Sequence, residues 1–316
     1  MIKKGKIAAI DIGANSFHLI IAELKNRNEI KIIQEEREII RLGISEKGNK
    51  KNISDSSIQK SIRTLKRFKS IADSHDATIR AVATSALREA KNRNEYVTII
   101  KEATDVEIET ITGIEEARLI YLGISKALSF EDETVFCFDI GGGSVEFIAG
   151  NKDEIFYSHS LEIGAVRLTN MFFKDGIVTD ENVNQCSEYV ERNLSPIAKE
   201  IRKFDFQKTV ASSGTGLAAA SMIFAKKYNE TPERNKLNNY MISKNEIMEL
   251  KREVLQLKTV DEREKISGLE TVRADIIPAG IILLSAIVEL FDVDKLTVSS
   301  YALREGIVFD ALRTIQ

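Results

Sequence analysis

One short pattern occurs twice in this chain: an apolar run, Asp-x-Gly-x-x-Ser, and a second apolar run. The first copy is Ile10-Asp11-Ile12-Gly13-Ala14-Asn15-Ser16 and the second is Phe138-Asp139-Ile140-Gly141-Gly142-Gly143-Ser144. Apolar runs flank both copies (Ile7 to Ile10 and Phe17 to Ala22; Val135 to Phe138 and Val145 to Ala149), which predicts strand, glycine-rich turn and strand each time. Such a turn needs glycine where φ is positive or where a ligand approaches the backbone closely. Its successive N–H groups converge on one concavity that favours anions, phosphate above all. An Asp closing each strand stands where hydrated Mg²⁺ could be held beside that phosphate. One loop alone says little, because Asp favours turns by bonding its own backbone. Two copies predict duplicated half-domains that clamp a polyanion together with a metal.

The bulk numbers narrow the partners. With 316 residues, about two domains are expected. A formal charge of −3 gives no global basic field for nucleic acid or an anionic membrane, so a phosphate site must be built locally. The opening Met-Ile-Lys-Lys-Gly-Lys leads into a strand and predicts no secretory leader. The most apolar stretch, Ile276 to Phe291, carries Pro278, Ser285 and Glu289 and reads as a buried helix, not a bilayer span. Cys137 and Cys186 lack metal-ligand spacing and suit a reducing cytoplasm. His18, His75 and His159 are scattered singly and argue against a His-based metal site.

Strands are expected at about 6–11, 17–24, 30–36, 78–83 and 106–111, with helices at about 58–72 and 86–103. Thr112-Gly113-Ile114-Glu115 is a capping box opening a helix that runs through Leu128. The second half reopens with strands near 135–139, 145–149 and 155–161. Helical segments follow near 165–173, 180–204 (which Pro196 should break or kink), 216–228, 244–257 and 274–291. A strand at 295–299 and a helix at 303–313 close the chain. Strands mixed with helices in both halves indicate α/β. The expected domains are 1–122 and 123–300, with 301–316 a candidate to pack back on the first.

With the two loops placed, further segments resemble the exopolyphosphatase/guanosine pentaphosphate phosphohydrolase family of the actin/hexokinase/Hsp70 superfold. The matching segments are Ala9 to His18, Ala83-Thr84-Ser85-Ala86-Leu87-Arg88-Glu89-Ala90, Gly113-Ile114-Glu115-Glu116-Ala117-Arg118-Leu119, Asp139 to Glu146, Gly164 to Leu168, and Ala302-Leu303-Arg304-Glu305-Gly306. Their order and span are far more specific than either loop alone. Two places depart from the family pattern: the third loop reads Ser212-Ser213-Gly214-Thr215-Gly216, and Tyr301 stands where many relatives have Gly. The chain resembles the short form, without the helical C-terminal extension. The resemblance implies two related actin-like (ribonuclease H-like) domains, mixed sheets flanked by helices, and a cleft between them.

Hydrolysis of a phosphoanhydride needs an attacking water, charge neutralisation on the phosphoryl group, and a held leaving phosphate. On the residues alone Glu116 reads first as a second acid in the positive first turn of a helix; the resemblance reverses that and makes it the general base. Glu115 has local tasks instead, as capping-box partner of Thr112 and i+3 partner of Arg118. Asp139 and Glu146 flank the second turn as ligands of Mg²⁺ (or Mn²⁺), with Asp11 touching the same ion or its water shell. Asn15, Ser16, Gly141, Gly142, Gly143 and Ser144 are the expected phosphate contacts, with Arg88 as a bidentate clamp. Arg167 and Arg273 are weaker candidates for guiding a polyanion. His18 reads as a packed core residue and Cys137 as buried and inert. The expected substrate is polyphosphate or guanosine pentaphosphate, both ending in the same phosphoanhydride; no nucleic-acid or membrane partner is expected, and a homodimer stays open. A sugar- or acetate-type kinase and a non-enzymatic nucleotide-bound sensor or filament are the competing readings.

Overall fold

Strand β1 (Lys6–Ile12) buries Ile7, Ala8, Ala9, Ile10 and Ile12 in succession. Consecutive burial means that both faces of the strand are covered, the mark of a central strand in a layered α/β unit. The computed structural model describes residues 5–26, 29–42 and 52–313. It divides into two units, Met1–Lys126 with Tyr301–Gln316, and Ala127–Ser300. Residues 1–4 and 314–316 of the expected domain limits lie outside the described residues.

In the first unit, β1, β2 (Ser16–Asn26) and β3 (Glu29–Ile39) form an antiparallel meander. Helix α1 (Asp55–Ser74) follows, with Ser54 accepting from the Ser57 amide at its N-terminus, and returns the chain to β4 (Thr78–Ala83), parallel to β1. Ile58, Leu65, Phe68 and Ala72 of α1 are buried as their spacing predicts. Truncating Phe68 to Ala would cost about 3–5 kcal/mol. The single helix expected at 86–103 is two, α2 (Ser85–Glu89) and α3 (Arg93–Thr104). Ala90 is extended, and the Asn92 side chain donates to the Ile53 carbonyl and accepts from its amide, at 3.0 and 2.9 Å. That tertiary bridge outweighs local helix propensity and turns a corner just after Arg88. Strand β5 (Ile108–Thr110) is shorter than expected and leads into α4 (Gly113–Ala127). Among the described residues the strand order is β3-β2-β1-β4-β5.

The second unit reuses this plan. Its strands are β6 (Val135–Ile140), β7 (Val145–Gly150), β8 (Ile155–Leu161), β9 (Lys208–Ser212), β10 (Tyr240–Ser243) and β11 (Lys295–Val298), and their order is β10-β11-β9-β6-β7-β8. Strands β8-β7-β6-β9-β11 repeat β3-β2-β1-β4-β5, and β10 adds an edge. The helices are α5 (Ala165–Phe172), α6 (Asp180–Ile201), α7 (Ser213–Tyr228), α8 (Lys244–Gln256), α9 (Val260–Arg263) and α10 (Ile277–Leu290). Helix α10 is buried from Ile277 to Val288. Phe291 just beyond it stacks on Phe136 and Phe147 at ring separations of 5.0 and 5.6 Å. Pro196 does not break α6; burial of Val190, Leu194, Ile197 and Ile201 carries the helix across the missing amide. Strands β9 and β10 are absent from the sequence reading. Both thiols are buried, which raises that of Cys137 and pushes that of Cys186 up to about 12.

The last helix, α11 (Leu303–Arg313), belongs to the first unit. It crosses α4 so closely that a β-carbon on Gly306 would lie 1.9 Å from the Leu119 carbonyl oxygen, and one on Gly123 would lie 2.2 Å from that of Ala302. Arg80 Nη1 and Arg118 Nη2 both donate to the Asp310 carboxylate, at 2.5 and 2.7 Å. Close glycine contact and paired guanidinium groups explain why the terminal helix returns to this unit.

Candidate active site

Loops at the carboxyl ends of parallel strands are where α/β sheets bind ligands. In the first unit three such loops are adjacent. The Gly13 amide donates to Ser16 O at 3.2 Å, closing the turn after β1. Thr84 N donates to Ile12 O at 3.3 Å and Ile111 N to Ala83 O at 3.1 Å, tying the ends of β4 and β5 alongside. Arg88 of α2 and Glu116 of α4, the helices that follow two of these loops, meet here. Arg88 Nη1 donates to Glu116 Oε2 at 3.0 Å and to the Ile111 carbonyl at 3.1 Å. Glu116 is only 6% exposed, and the ion pair fixes its carboxylate in place. The bidentate clamp expected of Arg88 is therefore modified: Nη1 serves Glu116, and the Nε/Nη2 edge is the one without a protein partner among the described residues.

The neighbouring acids on α4 diverge. Thr112 Oγ1 accepts from the Glu115 amide at 3.2 Å, which is one half of the capping box. The Glu115 carboxylate is instead gripped by Arg118 through Nε and Nη2 at 2.8 and 2.7 Å. Glu115 is thus structural, linked through Arg118 to Asp310. Ser16 is buried, and its hydroxyl shares a hydrogen bond of 2.9 Å with His18 Nε2. His18 is half-buried and bonded to Ser16 at the start of β2, not packed in the core as expected. The Asn15 carbonyl accepts from the amides of Ile40 and Arg41 at 3.0 and 2.8 Å, anchoring the loop.

The second unit repeats the turn: Gly141 N donates to Ser144 O at 3.0 Å. Its carbonyls face the start of α5. Ala165 N donates to Gly141 O at 2.9 Å, Val166 N and Arg167 N to Gly142 O at 2.9 and 3.1 Å, and Gly164 N to Gly143 O at 3.1 Å. A β-carbon on Gly164 would come within 2.4 Å of the Gly142 backbone, so only glycine permits this approach. With its carbonyls engaged by α5, the loop's Gly142, Gly143 and Ser144 amides carry no partner among the described residues, the arrangement an anion requires. Arg167 Nε donates to Gly143 O at 2.9 Å, so this side chain braces the loop.

Asp139 and Glu146 face each other in register across β6 and β7, and both are buried, at 6% and 1% exposure. Like charges directly opposite on a sheet repel, and burial sharpens the repulsion. A cation between them would relieve it. No group of three or more His, Cys, Asp or Glu suited to a metal occurs among the described residues. Two carboxylates with water and phosphate oxygens are nevertheless what Mg²⁺ usually takes, so the donor set fits that ion. Asp11 stands half-buried in the first unit, in register with His18.

Sequence reasoning missed two serines. Ser212 Oγ donates to Asp139 Oδ2 at 2.5 Å and Ser160 Oγ to Glu146 Oε1 at 2.7 Å. Both are cross-strand neighbours of the acids they serve, a signal available only once β8 and β9 are paired with β7 and β6. In the third loop segment, Ser213 opens α7 with a left-handed φ of 70°. Beside it the Arg273 guanidinium lies where a β-carbon on Gly214 would sit, 2.2 Å from Nη2.

The family model of the Ppx/GppA phosphatases matches residues 5–315. A curated relative, the guanosine-5'-triphosphate,3'-diphosphate pyrophosphatase of Pseudoalteromonas atlantica, is 29% identical over 310 residues, covering 98% of this chain. This chain spans 59% of that relative's length. Among solved structures, an exopolyphosphatase from Cytophaga hutchinsonii superposes with a TM-score of 0.88 at 31% identity, covering 98% of this chain and 99% of its own. The Ppx/GppA family member from Aquifex aeolicus gives a TM-score of 0.82 at 30% identity, covering 99% of both chains.

Proposed function

This chain belongs to the Ppx/GppA phosphatase family, and from that membership and the chemistry of its loops we propose that it hydrolyses the terminal phosphoanhydride of inorganic polyphosphate or guanosine pentaphosphate. The observation that carries the reading is the buried, in-register pair Asp139 and Glu146 flanking a loop with three amides that have no partner among the described residues. That combination suits a metal-bound polyanion and little else. The names of the relatives, a pyrophosphatase acting on guanosine-5'-triphosphate,3'-diphosphate and an exopolyphosphatase, support the same substrate class.

In this reading Glu116 accepts the proton of the attacking water, a contribution of ~10²–10⁴-fold for a positioned base. Arg88 places that carboxylate through Nη1 and offers its Nε/Nη2 edge to phosphate oxygens. The Gly142, Gly143 and Ser144 amides hold phosphate, as do Asn15 and Ser16 in the first unit. Asp139 and Glu146 would hold Mg²⁺ or Mn²⁺, with Asp11 a weaker ligand. Bound there, the ion would neutralise charge on the phosphate oxygens. The test is phosphate release from polyphosphate, guanosine pentaphosphate and ATP measured side by side. Release from either of the first two, lost in Glu116→Gln, is the expected result. Transfer from ATP to an added acceptor, with no release from the other two, would replace the hydrolase with a kinase.

A further inference from the structure

Four polar residues stand in one row across the second sheet. The register pairs Ser212 with Asp139, Asp139 with Glu146, and Glu146 with Ser160 across β9, β6, β7 and β8. The serines are the outer members, so each bonds its carboxylate from the side away from the other acid. We propose that Ser212 and Ser160 are positioning residues, which aim the Asp139 and Glu146 carboxylates at a divalent cation by holding one oxygen of each.

An ionised carboxylate only accepts hydrogen bonds, and a serine hydroxyl has a single proton to donate. In both pairs that proton is therefore committed to the acid, at 2.5 Å for Ser212 and 2.7 Å for Ser160. Without such partners, two opposed buried acids would relieve their repulsion by rotating apart. Each serine fixes one oxygen of its acid and so sets the carboxylate plane before an ion arrives. Outer-shell hydrogen bonds of this kind orient metal ligands generally. Both serines lie within strands, which hold side chains more rigidly than loops do. The equivalent row of the first sheet puts Val82 beside Asp11 and Arg37 beside His18, so hydroxyls flank the acids only where two acids face each other.

The inference rests on the cation reading of Asp139 and Glu146, and its test separates the two. Mn²⁺ binding to the full chain is followed by electron paramagnetic resonance, without substrate, in wild type, Ser160→Ala, Ser212→Ala and Glu146→Gln. Melting of the metal-free proteins is recorded in parallel. Each alanine variant is expected to weaken Mn²⁺ binding by ~10–100-fold, and Ser160→Thr and Ser212→Thr to restore it. In turnover, the same alanine variants should need more Mg²⁺ yet recover kcat at saturating metal. Wild-type Mn²⁺ affinity in both alanine variants, with weakened binding in Glu146→Gln, would overturn the positioning role and leave the cation site standing. Wild-type affinity in Glu146→Gln would overturn the cation site and the inference with it.

Discussion

The two sheets carry the same row of four strand positions with different chemistry. In the first it reads Val82, Asp11, His18, Arg37; in the second, Ser212, Asp139, Glu146, Ser160. The backbone device is shared down to the turn, where Gly13 bonds Ser16 as Gly141 bonds Ser144. What differs is charge. The first row sets its one acid beside an imidazole and ends on a guanidinium. The second sets two acids side by side, flanked by neutral hydroxyls. Under the proposed function the second row carries the main donor set for the cation, and the first offers one acid. The first unit contributes something else, the Arg88–Glu116 pair. Duplication supplies two frames of the same topology, and on the proposed function their few divergent side chains take different tasks.

The largest effect that tests this division falls on Glu116. Glu116→Gln keeps size and helix but cannot accept a proton, and turnover should fall by ~10²–10⁴-fold. Glu115→Gln, one residue away, should change turnover little, because that carboxylate serves Arg118. Equal losses in both variants would erase the distinction. Next, Asp139→Asn should raise the Mg²⁺ concentration for half-maximal activity by more than the ~10–100-fold expected of the serines that position the carboxylates. Asp11→Asn, at the matching position of the first row, should raise it far less. Equal shifts would mean that the two rows serve the metal alike.

Arg88→Lys keeps the charge and loses the planar fork, so one cation must choose between Glu116 and substrate. Loss of one charge-assisted hydrogen bond, about 1.5–3 kcal/mol, predicts kcat/KM lower by ~10–150-fold. Unchanged kinetics would return Arg88 to a purely structural partner of Glu116. A smaller effect concerns stability. Gly306→Ala drives a β-carbon into the Leu119 backbone at 1.9 Å, whereas Gly280→Ala in the second unit meets the Thr215 methyl at 3.0 Å. Overpacking of the first kind costs about 1–3 kcal/mol. Melting should therefore drop clearly for Gly306→Ala and less for Gly280→Ala, and the reverse order would refute the close crossing of α4 and α11.

The duplicated loops were legible because each is bounded by apolar runs long enough to read as strands, and their register follows from a tight turn. The family resemblance then located Glu116 and Arg88, but nothing in the sequence joined them. They are far apart along the chain and meet only because β4 and β5 lie side by side. The role of Ser212 was hidden for a related reason: β9 is a five-residue strand buried from Thr209 to Ser212, too short to show a period. The break between α2 and α3 was equally invisible, since it depends on the Asn92 side chain reaching residue 53. Local pattern fixed strands and turns; pairings across the sheet and between loops required the fold.

The smallest effect separates the structural ion network of the first unit from its site. Burial raises the Asp310 carboxyl, but hydrogen bonds and charge from Arg80 and Arg118 outweigh it and hold the group below the ordinary aspartate range. A carboxyl with a depressed folded value stabilises fully above its unfolded value, near about 3.9, and loses that contribution as pH falls through the folded value. Asp310→Asn should therefore lower stability at pH 7 by about 1 kcal/mol, the upper range for a partly exposed ion pair. The gap to wild type should then close as pH falls below about 4. Urea unfolding of both proteins across that range measures it. Turnover of folded Asp310→Asn at neutral pH should stay near wild type, because Asp310 bonds Arg80 and Arg118 and not the Arg88–Glu116 pair. A gap that widens toward acid, or a large loss of turnover without unfolding, would show that the α11 network belongs to the chemistry and not to the frame.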